Sequence, residues 1–382
     1  MKTKHIVFLV PYPFDIAPGQ RFRYEQYLEA LRENDFSFEI FSFLDEKTNR
    51  ILYKKGNTLQ KVWGVLKGYF KRLFHIWAAQ KADFVFIYRE ATPLGAPWVE
   101  WFLAKILRKK IIYDFDDAIW IETAQTEKKT WKHRLRNAPK VKKICVWSYK
   151  ISVGNAFLKQ NAETFVKAGA GRAQVILNPT TIDTVYKHNL YKNQTLSAGE
   201  KIVIVWTGSH STLLYLDLIL PILAELEQEF DFIFRVICDK NPNLPLKNFE
   251  FCAWNAQTEI EDLVVGNIGL MPLKTDAWSE GKCGFKALQY LALGIPAIVS
   301  PVGVNCQIVQ QGQTGFWATT SAEWKQALQT LMQDANLRTE MGRKGRELVE
   351  KRYSVQANTA NFLSLFTTDF ITKKEESSPI GS

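Results

Sequence analysis

The sequence predicts an α/β protein built as two doubly wound domains, which makes a cleft between them possible. Three observations carry this. Short β-type runs alternate with longer stretches of helical period. The alternation stops once, at a polar aperiodic stretch, and then resumes. The chain, at 382 residues, is long enough for about two cores of ordinary size.

The first set of runs is IVFLV (6–10), FEIFSF (38–43), DFVFIY (83–88), KIIYDF (110–115) and KISVGN (150–155). With helical stretches between them, these read as βα units on a parallel sheet. The segment LQKVWGVLKGYFKRLFHIWAAQ (59–80) puts Leu59, Trp63, Leu66, Phe70, Leu73 and Trp77 on one helical face, with Lys61, Lys67 and Lys71 elsewhere. An aromatic and basic helix of this kind suits a membrane interface. The other reading is a helix packed on the sheet, favoured because DFVFIY follows at once as a strand. Residues 177–201, LNPTTIDTVYKHNLYKNQTLSAGEK, are polar and aperiodic and suit a linker. The second set is KIVIVW (201–206), FIFRVI (232–237), FEFCAW (249–254), NIGLMPL (267–273) and PAIVSP (296–301). The closing KKEESSPIGS has the composition of a disordered tail.

Composition narrows the function. A content of 46% hydrophobic and 23% charged residues, without a long apolar run, fits a soluble globular protein. The start MKTKHIVFLVPYPF is basic, but IVFLV is too short for a signal core and no small-residue cleavage site follows. Five cysteines without a CxxC pair point to a reducing, cytoplasmic setting. Five dispersed histidines without HxxxH or HExxH spacing argue against a protein-built transition-metal site. The net charge of +10 calls for an anionic partner: nucleic acid, an acidic membrane surface or a phosphorylated substrate. The excess is densest between Lys105 and Lys150, in KILRKK and KKTWKHRLRNAPKVKK, where a solvated face would look the same. No nucleic-acid-binding motif accompanies it.

Ligands of open α/β sheets bind beyond the carboxyl ends of the strands, which singles out five places. After the first strand, PYPFDIAPGQRFRYEQYLEALRE holds Gly19 for a tight turn. Arg21 and Arg23 then fall in the first turn of a helix, where two guanidiniums suggest a phosphate. YDFDDAIW (113–120) ends another strand with Asp114, Asp116 and Asp117. In SVGNAFLKQ, Gly154 and Asn155 start a helix, and capping is enough to explain Asn155. The GAG at 169–171 follows a helix and is read as a helix stop. In VIVWTGSHSTLLYLDLI, Gly208 allows close backbone approach, and Ser209, Ser211 and Thr212 offer hydroxyls. Finally, MPLKTDAWSEGKCGFKALQYLALGIPAIVSPVGVN (271–305) runs through Glu280, Gly281, Lys282 and Gly284 into the helix FKALQYLAL. Free amides at that helix start, with Lys282, form a diphosphate cradle. Lys286 and Gln289 lie three apart and can face one ligand.

The run Gly281–Asn305, with MPL before it and the GQTGF turn at 312–316 after it, resembles the donor-binding segment of GT-B glycosyltransferases of the GT4-like, group 1 class. WTGSHST, NPTTID and the VGN strand end add weaker likenesses, so the resemblance spans nearly the whole chain. It implies two Rossmann-like domains facing a cleft. Residues 1–185 would form an acceptor-side domain, 186–200 a linker and 201–354 a nucleotide-sugar-binding domain. A helix over 355–371 would cross back to the first domain, ahead of a disordered tail at 372–382. The implied reaction moves a sugar from a nucleotide-diphosphate sugar to a glycan or lipid-linked glycan. It would retain configuration and need neither cofactor nor metal, and it would serve cell-envelope polysaccharide synthesis from the cytoplasm or the inner membrane face. The donor side would comprise Gly208, Ser209, Glu280, Lys282, Gly284, Phe285, Lys286 and Gln289, and the phosphate or acceptor side Gly19, Arg21, Arg23 and Asn155.

The chain departs from the family where a glutamate pair usually stands. The second member falls on Gln289 and the first on Gly281, with Glu280 one place early. The lysine usual after the opening glycine of the second domain is absent, which makes Lys282 its replacement. DFDD alone suggests a DxD metal site, but that belongs to the other glycosyltransferase architecture, and few further oxygen ligands lie nearby. Asp116 and Asp117 instead fall at the cleft, where the family often has a His-Asp pair, and are placed to orient a hydroxyl or accept its proton. Strand alternation turns Asp114 away to a structural role. Two alternatives remain: a non-catalytic basic protein that binds membrane or nucleic acid, and a nucleotide-sugar epimerase on the same fold.

Overall fold

The computed structural model describes residues 3–52, 54, 56–121, 138–185, 188–192, 194–196 and 199–368. The expected tail at 372–382 lies outside them, as does much of the basic run at 128–143. Two six-stranded parallel sheets are present, as the sequence predicts. The first comprises β1 (Lys4–Val10), β2 (Phe36–Ser42), β3 (Phe84–Tyr88), β4 (Lys110–Phe115), β5 (Lys150–Val153) and β6 (Gln174–Leu177), in the order β2-β1-β3-β4-β5-β6. The second comprises β7 (Ile202–Gly208), β8 (Phe232–Cys238), β9 (Phe249–Ala253), β10 (Ile268–Met271), β11 (Ala297–Val299) and β12 (Gly315–Trp317), in the order β12-β11-β10-β7-β8-β9.

Each sheet grows outward in one direction from its first strand and then continues on that strand's other side. The reversal lies between β1 and β3 in one sheet and between β7 and β10 in the other. A crevice opens at such a point because the connections leave in opposite directions. The central strand β3, FVFIY, is apolar and buried at every residue, as befits a strand covered on both faces.

One face of the first sheet carries Ile76, Val99, Leu103, Val141 and Leu158 from successive crossover helices. The other face is covered partly by the end of the chain. The helix Val355–Ser364, capped by the Ser354 side chain, lays Phe362 and the following Phe366 against Phe8 and Phe86. Phe362 stacks on Tyr27 at 4.3 Å between ring centroids, and the buried Lys150 ammonium donates to the carbonyls of Ser364 and Thr367. The chain therefore crosses between the sheets twice, and the crossings are hydrogen-bonded together. Ile182 donates to Tyr353 O at 2.8 Å, and Val355 donates to Ile182 O at 3.1 Å.

The helix Thr58–Ala79 lies on the first sheet, but by the opposite face from the one its pattern predicts. Its buried residues are Gly64, Gly68, Arg72, Ile76 and Ala79, whereas the aromatic stripe of Trp63, Phe70 and Trp77 is exposed. A side chain on Gly64 or Gly68 would collide with Thr48 or Phe43, so this helix approaches closely through glycine.

Candidate active site

A cavity of about 280 Å³ lies between the carboxyl ends of the two sheets. Its first wall begins with the short helix Pro18–Arg23 that follows β1. A Cβ on Gly19 would strike the Tyr88 hydroxyl and Asp116, so the glycine serves close helix-to-strand approach and not the turn expected. Arg21 and Arg23 end this helix and do not begin it, and both are turned inward. Arg23 donates from Nε and Nη2 to the two Asp114 oxygens at 3.1 and 2.5 Å, and also to Ser152 Oγ and Asn178 O. Its guanidinium is thereby committed to protein partners, although its edge reaches the cavity wall. Arg21 pairs with Asp15 at 3.2 Å and with Glu259 of the second domain at 2.5 Å. Neither arginine is the free phosphate clamp that the sequence suggests.

Asp116 and Asp117 follow β4 and line the cavity. Between them sits Arg89, which the sequence reading missed. Its Nε and Nη2 donate to Asp116 Oδ1 at 3.0 and 2.8 Å, and Nη2 also donates to Asp117 Oδ2. Tyr88 Oη donates to the same Asp116 oxygen at 2.9 Å. Burial opposes ionisation of Asp116, but the Arg89 and Arg23 guanidiniums outweigh it and hold this carboxyl below its usual range. Arg89 reaches both acids from a left-handed backbone, φ +58°, that a non-glycine residue seldom adopts. A basic residue directly after DFVFIY was the only sequence signal for it. Asp114 is structural, as expected, but not by facing away: it and Asp116 both meet the Pro18–Arg23 helix.

The second wall comes from β7 and from the loop before the helix Phe285–Ala292. Ser209 lines the cavity and shares a hydrogen bond with Ser211 at 2.8 Å. Gly284 takes φ +67°, where a side chain would be strained and would also meet Ile308, and it leads into the helix beginning at Phe285. Lys282 and Lys286 project into the cavity, each beside an indole. Lys282 Nζ lies 5.4 Å from the Trp278 ring centroid, and Lys286 Nζ lies 5.7 Å from that of Trp206. Burial, and then repulsion from Lys282, push the Lys286 ammonium down to about 8.

The walls are clasped together. Asn155 caps its helix by accepting from Leu158 N at 2.8 Å, while its Nδ2 donates across the cleft to the carbonyls of Glu280 and Lys282 at 3.1 and 3.0 Å. Capping alone therefore does not explain Asn155. Cys283 Sγ lies 3.0 Å from Asp116 O, and Phe22 packs on Phe285 at 4.2 Å. Of the expected site residues, Gly19, Arg23, Asp116, Asp117, Ser209, Lys282, Gly284, Phe285 and Lys286 meet at the cavity. Arg21, Asn155, Gly208, Glu280 and Gln289 are not on its walls. Glu280 ends the short helix Ala277–Glu280 and offers its carbonyl to Asn155, and Gln289 is buried one turn farther along its helix. Among the described residues no group of three or more His, Cys, Asp or Glu is placed to hold a metal.

The chemistry of the cavity is polarised. Two ammonium groups and a helix start face it from one domain, and two carboxylates on a guanidinium face it from the other. That arrangement can hold an anionic group on one side and direct hydroxyls on the other.

Residues 190–348 match the family described as Glycosyl transferases group 1. No curated protein matches the chain in sequence. Among solved structures, sucrose-phosphate synthase from Thermosynechococcus elongatus is similar over 95% of this chain and 98% of its own, with TM-score 0.71 and 15% identity. A glycosyltransferase from Rickettsia africae is similar over 96% and 98%, with TM-score 0.66 and 13% identity. Anabaena HepE in complex with UDP-glucose is similar over 94% and 98%, with TM-score 0.59 and 13% identity. Residues 190–348, most of the second domain, thus match the glycosyltransferase group 1 family in sequence, and the chain as a whole has the two-domain GT-B fold of these solved structures.

Proposed function

We propose that this chain transfers a hexosyl group from a nucleoside-diphosphate sugar to a glycan or lipid-linked glycan. The reaction retains configuration, uses no metal, and takes place at the cytoplasmic face of a membrane in cell-envelope polysaccharide synthesis. The observation that carries the transfer is the opposition of Lys282, Lys286 and the Phe285 helix start to Asp116 and Asp117 across one cavity. As the glycosidic bond breaks, negative charge grows on the diphosphate. Two lysines and oriented amides meet that charge without reorganisation, so they favour the transition state over the ground state. They also supply the positive charge that a divalent cation provides in other sugar transferases, which supports metal independence. On the facing wall, Asp117 is placed to orient an acceptor hydroxyl or take its proton. Asp116, held by three hydrogen bonds, stays ionised and fixes Arg89. Retention rests on the likeness of Gly281–Asn305 to the retaining class. HepE structures in complex with UDP and with UDP-glucose support a nucleotide sugar as donor.

The test is a thermal-shift panel of UDP-, GDP-, ADP- and CDP-sugars, because a ligand bound only by the folded form raises Tm. One donor should give a shift that Lys282→Ala abolishes. A shift of equal size in that variant removes Lys282 from the diphosphate site. Turnover of the donor with no acceptor present would point to an epimerase instead.

A further inference from the structure

The helix Thr58–Ala79 has two faces that reverse the usual assignment. Its sheet-facing line is glycine, alanine, isoleucine and Arg72. The Arg72 guanidinium is fully buried and donates to Ala91 O at 2.7 Å, Phe41 O at 2.8 Å and Val10 O at 2.7 Å. Three fixed carbonyls and two glycine contacts hold the helix in place without help from its large side chains. Those side chains stand outward: Trp63 is 68% exposed, Phe70 63%, Leu73 55%, Phe74 74% and Trp77 65%. At 100° per residue the outward apolar residues from Leu59 to Trp77 fall within an arc of about 120°, and the stripe runs about 27 Å. A continuous exposed stripe of this size marks a contact surface.

Charge decides what it contacts. Residues 58–82 contain no aspartate or glutamate, and Lys71 and Lys81 flank the stripe, while Lys67 is paired with Asp45 at 3.0 Å. The neighbouring segment Trp98–Ile106 packs on the same face of the sheet and continues the pattern outward with exposed Trp101 and Ile106 beside exposed Lys105 and Arg108. A second copy docked face to face would set these cations against themselves, with no carboxylate in the helix to answer them. A bilayer interface accepts the aromatic stripe and, if anionic, the flanking ammonium groups. No described helix is long and apolar enough to cross a membrane, and a helix held to the sheet by one face can meet a bilayer only along the other.

We propose that the outward face of Thr58–Ala79, extended by Trp101 and Ile106, is the surface that docks this protein on an anionic lipid bilayer. This deepens the membrane-side part of the proposed function by naming the surface and the lipid charge, and its test requires no sugar transfer. Arg72 bonds carbonyls at the carboxyl ends of β1 and β2, so the half of the helix before it stands beyond that edge of the sheet. The active-site cavity lies at the same carboxyl edge of the sheet.

The experiment is co-sedimentation of the full chain, without donor, with phosphatidylcholine vesicles containing about one-third phosphatidylglycerol. Wild type should bind these vesicles at low salt and bind pure phosphatidylcholine at least about tenfold more weakly. The variant Trp63→Gln/Phe70→Gln/Trp77→Gln should lose at least about tenfold in partition while keeping the wild-type nucleotide thermal shift. If that variant melts early, Lys71→Glu/Lys81→Glu supplies the same readout from exposed positions. Absence of binding by wild type, or undiminished binding by the variants, overturns the proposal. So does a wild-type dimer that the triple variant converts to monomer. None of these results touches the donor site, which the nucleotide panel tests separately.

Discussion

Lys286 offers a quantitative test of the diphosphate side. Its ammonium is pushed from the ordinary 10.5 to about 8 by burial and by Lys282. A diphosphate placed between the two lysines favours the charged form, so binding takes up a proton wherever free Lys286 is neutral. At pH 7 roughly nine-tenths of the free protein carries that charge, and at pH 9 roughly one-tenth. Affinity for the nucleoside diphosphate should therefore fall about tenfold between pH 7 and pH 9, with uptake of about half a proton per ligand at pH 8. Calorimetry in two buffers of different ionisation enthalpy measures both quantities. In Lys286→Met the baseline affinity should drop and this slope should vanish. The sign for folding is the opposite. A lysine whose folded value lies below its unfolded value makes the unfolded state bind more protons, so stability rises with pH between about 8 and 10.5. The methionine variant should thus be the more stable at pH 7, by at most about 3 kcal/mol, since the open cavity screens part of the penalty. A flat affinity profile from pH 7 to 9, or a slope retained by Lys286→Met, refutes the placement of the diphosphate against this side chain.

Two further outcomes concern the acid wall. Asp117→Asn should lower transfer by about 10² to 10⁴ if the carboxylate accepts the acceptor's proton, with donor binding unchanged by thermal shift; transfer within twofold of wild type would leave Asp117 as a partner of Arg89 only. Arg89→Ala leaves two part-buried carboxylates without their cation and should cost about 2–4 kcal/mol in urea unfolding at pH 7. Because Arg89 and Arg23 hold Asp116 below its usual range, the wild-type contribution is present above the unfolded carboxylate value and is lost as pH falls through the folded one. Wild type and Arg89→Ala should therefore converge in stability at acid pH, and a gap that stays constant down to pH 2 would contradict this pairing.

Ten of the twelve strands were legible because they are apolar runs separated by helical stretches. β6 and β12 were not: these short edge strands merge with neighbouring features, β6 running into the polar stretch that starts at 177 and β12 into the GQTGF turn. The lysine-bearing loop was legible because its chemistry is local: glycines, a lysine and a helix start lie within a few positions. Arg23 was misread because the partner that turns it inward is 91 positions away, and Arg21 because its partner is 238 away. Arg89 was missed because its reach to Asp116 depends on a backbone angle and on the adjacency of β3 and β4, and neither shows in composition. The Thr58–Ala79 helix was placed on the sheet for a sound reason but by the wrong face. Periodicity finds the large apolar stripe and assumes it is buried, whereas here glycine and one arginine hold the opposite face to the sheet.

The paired crossings at Ile182 and Tyr353–Val355 bear on how the cleft can move. Two separate tethers would permit sliding and twisting, but two strands hydrogen-bonded at one point act as the pin of a door. Any relative movement of the two walls about that joint alters the gap between the lysine wall and the acid wall. Everything that bridges the gap, whether Asn155, the Arg21–Glu259 pair or a donor spanning both walls, then acts on the same coordinate. Parting the two walls therefore means breaking the Asn155 and Arg21–Glu259 contacts together.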